Sequence, residues 1–152
     1  MAEWTMDLTE YAKKKQVEIK EVRKSYAFAL YSSIVKKTPV DTGRARGNWN
    51  VSVGSPDESV DDPAAYTSSY SKKKNENSKA KRPAARLKYK DTSSIPEPDG
   101  DESIFIANNL PYITSLEYGS SKQAPNGMVG VTLANNDYIF NAAVQAVKGS
   151  KK

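Results

Sequence analysis

The longest helical pattern of the chain spans residues 7–37, and it constrains the fold more than any other feature. Apolar or small side chains recur there at the three- and four-residue spacing of one helix face. This stripe comprises Leu8, Ala12, Ile19, Val22, Tyr26, Ala29 and Ser33, widened by Tyr11, Leu30 and Ile34. Asp7 is the predicted N-cap. Pro39 ends the helix, since a proline disfavours helical geometry at the residue before it.

A helix of this length is about 45 Å long at 1.5 Å per residue. The whole chain has 152 residues, the size of one ordinary domain. One half of the helix can pack on a local sheet, and the other half needs a neighbour. The sequence therefore predicts an oligomer.

Composition excludes most catalytic chemistry. The chain has no cysteine and no histidine, which removes disulfides, thiolate metal sites and the commonest general base. We expect a protein that is not an enzyme and binds no cofactor or metal. No apolar run approaches the roughly 18 residues of a membrane span, and the acidic N-terminus lacks the pattern of a secretory signal. We therefore expect a soluble protein that is not exported and contacts no membrane.

The rest of the chain predicts a small sheet and further helices. Residues 44–54 alternate as in a strand, and residues 103–108 form a short apolar run typical of a buried strand. A short turn or helix follows from Pro111. Residues 128–148 predict a last helix, which could instead begin near residue 137 behind a cap of asparagines. The expected fold is α+β: a long N-terminal helix packed on a small antiparallel sheet, with a C-terminal helix and a long polar insertion.

That insertion, residues 55–102, is too long for an ordinary connection, and we interpret it as a flexible or arm-like loop within a single domain. Tyr66, Tyr70, Leu87 and Tyr89 could mark a short extended hairpin within it. Its segment 72–90 carries nine basic residues and one Glu, a net charge of +8 against −3 for the rest of the chain. The basic residues are Lys72, Lys73, Lys74, Lys79, Lys81, Arg82, Arg86, Lys88 and Lys90. They could reach onto an acidic neighbouring protein, face DNA without sequence preference, or remain solvated.

The stretch TPVDTGRARGNW follows the long helix. Pro39 stops that helix, Asp41 or Thr42 can bond the turn through its side chain, and Gly43 supplies a backbone position with free φ. The stretch predicts a turn from helix into strand, although Arg44 and Arg46 could also hold an anion.

The stretch NNLPYITSLEYGSS is the second candidate. We expect Tyr112, Leu116 and Tyr118 to pack with Trp49, and Gly119 to end the turn or helix that begins at Pro111. Glu117 lacks a partner base for catalysis. A surface or interface ion pair of Glu117 with Arg44 or Arg46 is the favoured interpretation.

These stretches, in this order, resemble the HK97 gp10-like family of tailed-bacteriophage neck, tail-completion and minor tail proteins. The motifs that carry the resemblance are TPVDTGRAR at 38–46, NLPYITSLEYG at 109–119 and PNGM at 125–128, with matching flanks over 7–54 and 103–148. Three departures stand out: Ala45 where the family usually has Leu, Gly47-Asn48 in place of a small polar ending, and Ser120 where Thr is frequent.

The resemblance implies a structural virion protein with a helix-plus-sheet fold. Such proteins form rings, here of six or twelve copies, that join the portal-adaptor or head-closure proteins to the tail. The ring lines the conduit for double-stranded DNA, which it contacts transiently and without specificity. The implied location is the neck or tail end of the virion, after assembly in the host cytoplasm. Arg44 and Glu117 would then make contacts within or between subunits.

Two other functional classes remain open from the residues alone. The first is a free-standing, non-specific nucleic-acid-binding protein that uses the basic segment 72–90 and its tyrosines. It predicts salt-sensitive DNA binding by a monomer or dimer. The second is an enzyme, which the missing His and Cys and the lack of an acid–base pair disfavour.

Overall fold

The computed structural model describes residues 8–40, 43–61 and 88–149. Within these ranges the predicted α+β class is confirmed: a long N-terminal helix, a two-stranded antiparallel sheet and a C-terminal helix. The elements in chain order are helices α1 (Leu8–Lys37) and α2 (Arg44–Gly47), strands β1 (Trp49–Val53) and β2 (Ile104–Asn108), and helices α3 (Ile113–Glu117), α4 (Val129–Ala134) and α5 (Asn136–Gly149). A single 3₁₀ turn, Thr92–Ser94, precedes β2. Over the described residues, no helix is long and apolar enough to cross a membrane.

Helix α1 is the central element, and its C-terminal half contributes most of its packing. Ala27, Tyr31, Ile34 and Val35 are buried, whereas every residue from 12 to 17 is exposed. The predicted stripe is confirmed at Ile34 and is otherwise wrong in phase: Ile19 is 57% exposed, and Tyr26, Ala29 and Ser33 are only half-buried. Apolar side chains occur on several sides of this helix, so the packing partner, α5 above all, decides which side is buried. The predicted N-cap Asp7 lies outside the described residues.

The core forms where α1, the sheet and the segment before α4 meet. Its buried members are Ala27, Tyr31, Ile34, Val35, Trp49, Val51, Ile95, Ala124 and Met128. Two residues of the predicted insertion belong to this body: Ile95 is only 2% exposed, and Tyr89 packs against the cluster. The body thus includes the C-terminal end of the 55–102 segment. Residues 62–87, with Tyr66, Tyr70 and Leu87 of the predicted hairpin, lie outside the described residues.

The sheet pairs β1 and β2 with Trp49 opposite Asn108 and Val53 opposite Ile104. The Gly54 N–H donates to the Ser103 carbonyl at 2.9 Å, which extends the ladder one residue further. Since hydrogen-bonded and non-bonded pairs alternate in an antiparallel ladder, Val51 and Ile106 face each other as a non-bonded pair. The main-chain groups of Val51 therefore point away from β2.

The two edges of this sheet differ. The Tyr89 hydroxyl covers the β1 edge: it donates to the Val51 carbonyl and accepts from the Val51 N–H, both at 3.0 Å. On the other edge, the outward main-chain groups of Ile104 and Ile106 have no hydrogen-bond partner among the described residues. All five β2 residues are half-buried, so the prediction of a fully buried strand is wrong.

Several predicted boundaries also need correction. The predicted strand 44–54 begins only at Trp49, because Arg44–Gly47 forms the short helix α2. The Gly47 N–H donates to the Gly43 carbonyl at 2.9 Å, closing that turn. The prediction of one continuous helix over 128–148 is wrong, because the helix is interrupted at Asn135, between α4 and α5. The alternative start near residue 137 is confirmed by α5, which begins at Asn136.

Candidate functional site

The C-terminus of α1 is closed by side chains from the residues that follow it. The Arg46 guanidinium donates to the Thr38 carbonyl at 2.7 Å and to the Lys36 carbonyl at 3.0 Å. These groups belong to the end of a helix, where carbonyls lack intrahelical partners and positive charge is favourable. Arg46 is thus an internal cap for α1. The contacts of Arg46 with two main-chain carbonyls do not correspond to the alternative role of holding an anion.

A buried hydroxyl links α1 to the first strand. The Thr38 hydroxyl donates to the Ile34 carbonyl at 2.7 Å and accepts from the Trp49 indole N–H at 2.9 Å. Thr38 is fully buried and Trp49 is 5% exposed, so both polar groups depend on this pairing. The contact fixes where the strand begins relative to the helix end.

The turn between these two points holds Gly43 at φ 87°, in the left-handed region that favours glycine. Asp41 and Thr42, the predicted turn-bonding side chains, lie outside the described residues. Next to the turn, the Val40 main chain forms two hydrogen bonds with the Gln123 side-chain amide, at 3.0 and 3.2 Å. This pairing connects the turn after α1 to the loop that precedes α4, 83 residues later.

Glu117 is the centre of a second set of contacts. Its Oε2 accepts from the main-chain N–H groups of Met128 and Val129, both at 2.9 Å, and its Oε1 accepts from Gly130 at 2.8 Å. These are the unpaired donors at the start of α4, so the carboxylate caps that helix from a distance in sequence. Within the chain, the predicted surface ion pair of Glu117 with Arg44 or Arg46 is wrong.

The charge of Glu117 responds to this environment. Burial raises the pKa of the Glu117 carboxyl, and the hydrogen bonds from Gly130, Met128 and Val129 lower it by more. The net pKa therefore lies below its usual value, which favours the charged form.

Two glycines allow the loop between α3 and α4 to approach Glu117. Gly119 and Gly127 both have positive φ, 88° and 85°. A Cβ at Gly127 would meet the Glu117 carbonyl oxygen at 2.3 Å, and a Cβ at Gly119 would meet the Pro125 carbonyl oxygen at 2.4 Å. Neither backbone position has room for a side chain.

The end of α3 shows why Gly119 stops it, as predicted from the sequence. The Gly119 N–H donates to the Leu116 carbonyl and the Ser120 N–H to the Ser115 carbonyl, both at 3.1 Å. These two bonds with a left-handed glycine form a Schellman motif. Pro111 is exposed just before the helix.

The expected aromatic cluster is correct only in part. Leu116 packs against the core that contains Trp49, but Tyr112 is 39% exposed and Tyr118 is 85% exposed. Tyr112 instead lines a shallow cavity of about 220 Å³ with Pro39, Arg44 and Gln123. The structure thus gathers several predicted residues around one joint, which we define as Thr38–Val40, Gly43–Trp49 and Glu117–Gly130.

Of the nine basic residues of the predicted arm, only Lys88 and Lys90 lie within the described residues. Lys88 is bound to the body: its ammonium donates to the Asn50 side-chain oxygen at 2.5 Å and pairs with Asp61 at 3.2 Å. Lys90 is exposed. Lys88 therefore joins the two ends of the 62–87 segment.

Asparagines are the residues that sequence reasoning missed. Asn48 and Asn50 are buried, Asn48 bonding the Arg44 carbonyl and the Asp61 N–H, and Asn50 the Ser59 carbonyl. Asn108 and Asn109 likewise reach main-chain groups of Ala45, Asp57 and Ser59. The only sign of this bonding role in the sequence is that polar residues occupy positions otherwise typical of a strand.

The joint contains no assembly of groups for catalysis in the described part of the chain. Its one carboxylate, Glu117, is engaged by three amides, and its capping arginine, Arg46, by two carbonyls. In the described ranges, no three acidic side chains converge on a point where a metal ion could be held. What the arrangement does is hold main-chain segments together.

Comparison with protein-family models, with curated proteins and with solved structures gives no match to this chain.

Proposed function

We propose that this chain is a structural virion protein of a tailed phage. In this proposal it forms a ring at the head–tail junction that connects the portal-adaptor complex to the tail and lines the DNA conduit. It acts by holding protein surfaces in place and not by catalysing a reaction.

The observation that supports the proposal is the joint. The three stretches that resemble the neck-protein family, 38–46, 109–119 and 125–128, are far apart in the sequence and converge there. Two of their polar side chains bind main-chain groups: Arg46 the end of α1 and Glu117 the start of α4. Gln123, which lies between the second and third stretches, binds the main chain of the turn after α1. Motifs whose side chains bind the protein's own main chain are expected in an assembly protein. In a binding or catalytic site, the side chains would face a ligand.

The exposed half of α1 supports the same function. Six successive residues, 12–17, are exposed, so this part of the helix has no cover within the described chain. In a ring, a neighbouring subunit would supply that cover.

The test is mass photometry of the purified chain, alone and with the portal and tail proteins of its source phage. We expect a cyclic oligomer of six or twelve copies, formed alone or only with those partners. A persistent monomer that ignores both partners and binds DNA in a salt-sensitive way would refute the proposal. That result would favour the non-specific nucleic-acid-binding alternative through residues 72–90.

A further inference from the structure

The N-terminal half of α1 is a projecting helix. Among the residues of α1 whose burial the structure describes, the first buried one is Ala27, and two large apolar side chains before it are exposed: Val17 at 52% and Ile19 at 57%. At 1.5 Å per residue, the part from 8 to 22 extends about 22 Å. An isolated helix of that length is only marginally stable in water. A contact that covers it would therefore stabilise it.

The part of this half that is mostly exposed is basic. Residues 12–20 include four Lys and one Glu, a net charge of +3. The described ion pair on this stretch joins Lys15 to Glu18, at 3.1 Å. Lys13, Lys14 and Lys20 form no ion pair with a described residue.

An opposite charge lies in one turn of the same chain. Residues 97–102 carry four acidic residues and no basic one, a net charge of −4. We call residues 97–102 the acidic turn. Its carboxylates Glu97, Asp99, Asp101 and Glu102 are all on exposed residues.

The acidic turn is held in place, so it is a defined surface. The Arg23 guanidinium donates to the Gly100 carbonyl at 2.9 Å and also to the Glu102 carbonyl. Inside the turn, the Asp99 N–H donates to the Glu102 carboxylate at 3.1 Å. These contacts use main-chain carbonyls and one carboxylate, leaving the side chains of Glu97, Asp99 and Asp101 facing solvent.

We propose that the projecting half of α1 docks on the acidic turn of a second copy of this chain. The stretch 12–20, with a net charge of +3, would meet the acidic turn, with a net charge of −4, and Val17 and Ile19 would provide apolar contact within the charged rim. Because the helix and the turn are different surfaces, the contact is heterologous and repeats from copy to copy, which closes a ring when the rotation allows. The inference rests on the proposed function and names the contact that would build its ring.

A second copy fits this helix better than DNA does. Glu18 and Glu21 interrupt its positive charge, and a phosphate backbone offers no apolar surface for Val17 or Ile19. The acidic turn of a neighbour supplies the charge without requiring a uniformly basic face.

Charge reversal tests the contact. The helix variant carries Lys13→Glu, Lys14→Glu and Lys20→Glu, and the turn variant carries Glu97→Lys, Asp99→Lys and Asp101→Lys. These side chains form no hydrogen bond or ion pair with a described residue, and glutamate and lysine have similar helix propensities. Far-UV circular dichroism and thermal unfolding verify that each variant folds. Assembly is measured by mass photometry under the conditions in which the unmodified chain forms its ring.

Each variant alone places like charges at every contact, so we expect the concentration needed for assembly to rise at least about tenfold. An equimolar mixture restores opposite charges at both kinds of contact, and so does a chain that carries all six changes. Recovery in the mixture is the decisive result, because a general loss of stability would not be corrected by mixing two damaged chains.

Two results would overturn the inference and leave the proposed function intact. One is a ring that both folded variants form as readily as the unmodified chain. The other is loss of assembly that neither the mixture nor the six-fold variant recovers. If the unmodified chain forms no ring even with portal and tail proteins, the proposed function and this inference both fail. DNA binding lost specifically in the helix variant would, in that case, assign the projecting half to nucleic acid.

Discussion

At the scale of single residues, Glu117 shows how one side chain can organise two segments. Glu117 is the last residue of α3, and its carboxylate caps α4. The carboxylate accepts hydrogen bonds from the N–H groups of three consecutive residues, Met128 to Gly130. Both glycines around it are needed for the main chain to come so close. The residue is a connection between two pieces of backbone, and its charge is part of that connection.

Replacing Glu117 by Gln should reduce stability in a pH-dependent way. The neutral amide can keep one acceptor but presents its NH₂ group to a main-chain donor, so we expect a loss of about 2 kcal/mol at pH 7. Since the folded-state pKa of Glu117 is lowered, its contribution is present above the unfolded-state pKa, roughly 4.3. It disappears as the pH falls through the lower folded-state pKa.

Urea unfolding from pH 7 down to pH 3 measures this effect. The difference in the free energy of unfolding between the original chain and Glu117→Gln should shrink toward low pH. A difference that stays constant would mean that the charge of Glu117 is not what matters.

Alanine substitutions at Gly119 and Gly127, compared with one at Gly100, separate the effect of a steric clash from that of backbone strain. Gly127→Ala adds a Cβ 2.3 Å from a carbonyl oxygen, whereas Gly100→Ala, also at positive φ, has nothing within 4 Å. The control should lose about 1–2 kcal/mol from the left-handed backbone alone. Gly127→Ala and Gly119→Ala should lose at least about 2 kcal/mol more. Equal losses in thermal unfolding for all three variants would rule out the close approaches.

At the scale of elements, the decisive contact is the junction of α1 with β1. Thr38 ends the helix and receives the indole of Trp49, while Arg46 covers the last helix carbonyls from the short α2. Thr38, Arg46 and Trp49, which are separated by at most 11 positions, thereby fix the direction in which the strand leaves the helix.

Thr38→Val should show that the Thr38 and Trp49 contributions are coupled. Valine keeps the volume but leaves the buried indole N–H without its acceptor, which costs about 1–3 kcal/mol. In a Trp49→Phe background no such donor exists, so Thr38→Val should cost about 1 kcal/mol less there. Equilibrium unfolding of the two single variants and the double variant gives this coupling. Additive losses would indicate that the hydrogen bond contributes nothing measurable.

The elements also show what the sequence could predict. The end of α1 before Pro39, a strand that includes Trp49, Val51 and Val53, and the stop at Gly119 follow local signals, and the structure has each of them. Burial along that strand does not alternate as predicted, since Asn50 is buried and Val53 is only half-buried. The short helix α2 was missed because four residues are too few to display a period. Such a turn is fixed by contacts from outside it.

Contacts between distant parts of the chain were beyond sequence reasoning. Glu117 was expected to pair with an arginine, since opposite charges are the simplest hypothesis for a lone carboxylate. Its actual partners are main-chain N–H groups, which every residue except proline carries and which no pattern marks. The phase of the α1 stripe failed for a related reason, because α5 and the sheet select the buried face.

At the scale of the whole molecule, the two ends of the 62–87 segment are tied together. Lys88 pairs with Asp61 across the gap and also reaches Asn50 on β1. Immediately beyond, Tyr89 contacts the sheet edge and Ile95 enters the core. The residues from 88 onward therefore belong to the described body of the protein.

Deleting residues 64–85 and joining the ends with a short Gly-Ser linker should leave the body folded. The Lys88–Asp61 pair shows that the ends are close enough for a short connection. The matched, longer deletion of 60–98 removes Tyr89 and Ile95 and should unfold the chain. Far-UV circular dichroism and thermal unfolding compare the two. A short deletion that unfolds would place essential packing inside 64–85.

The two edges of the sheet differ in how readily another strand could pair with them. On the β1 side, a phenol hydroxyl occupies the Val51 donor and acceptor, so another strand could add there only by displacing Tyr89. On the β2 side, Ile104 and Ile106 have outward main-chain groups without a hydrogen-bond partner among the described residues. The exposed carboxylates of residues 97–102 stand just before that open edge, and charge beside an open edge discourages unselective strand pairing. Pairing with a further strand is thus hindered by Tyr89 on one side and disfavoured by nearby negative charge on the other. Both features reduce the tendency of the sheet to aggregate through its edges.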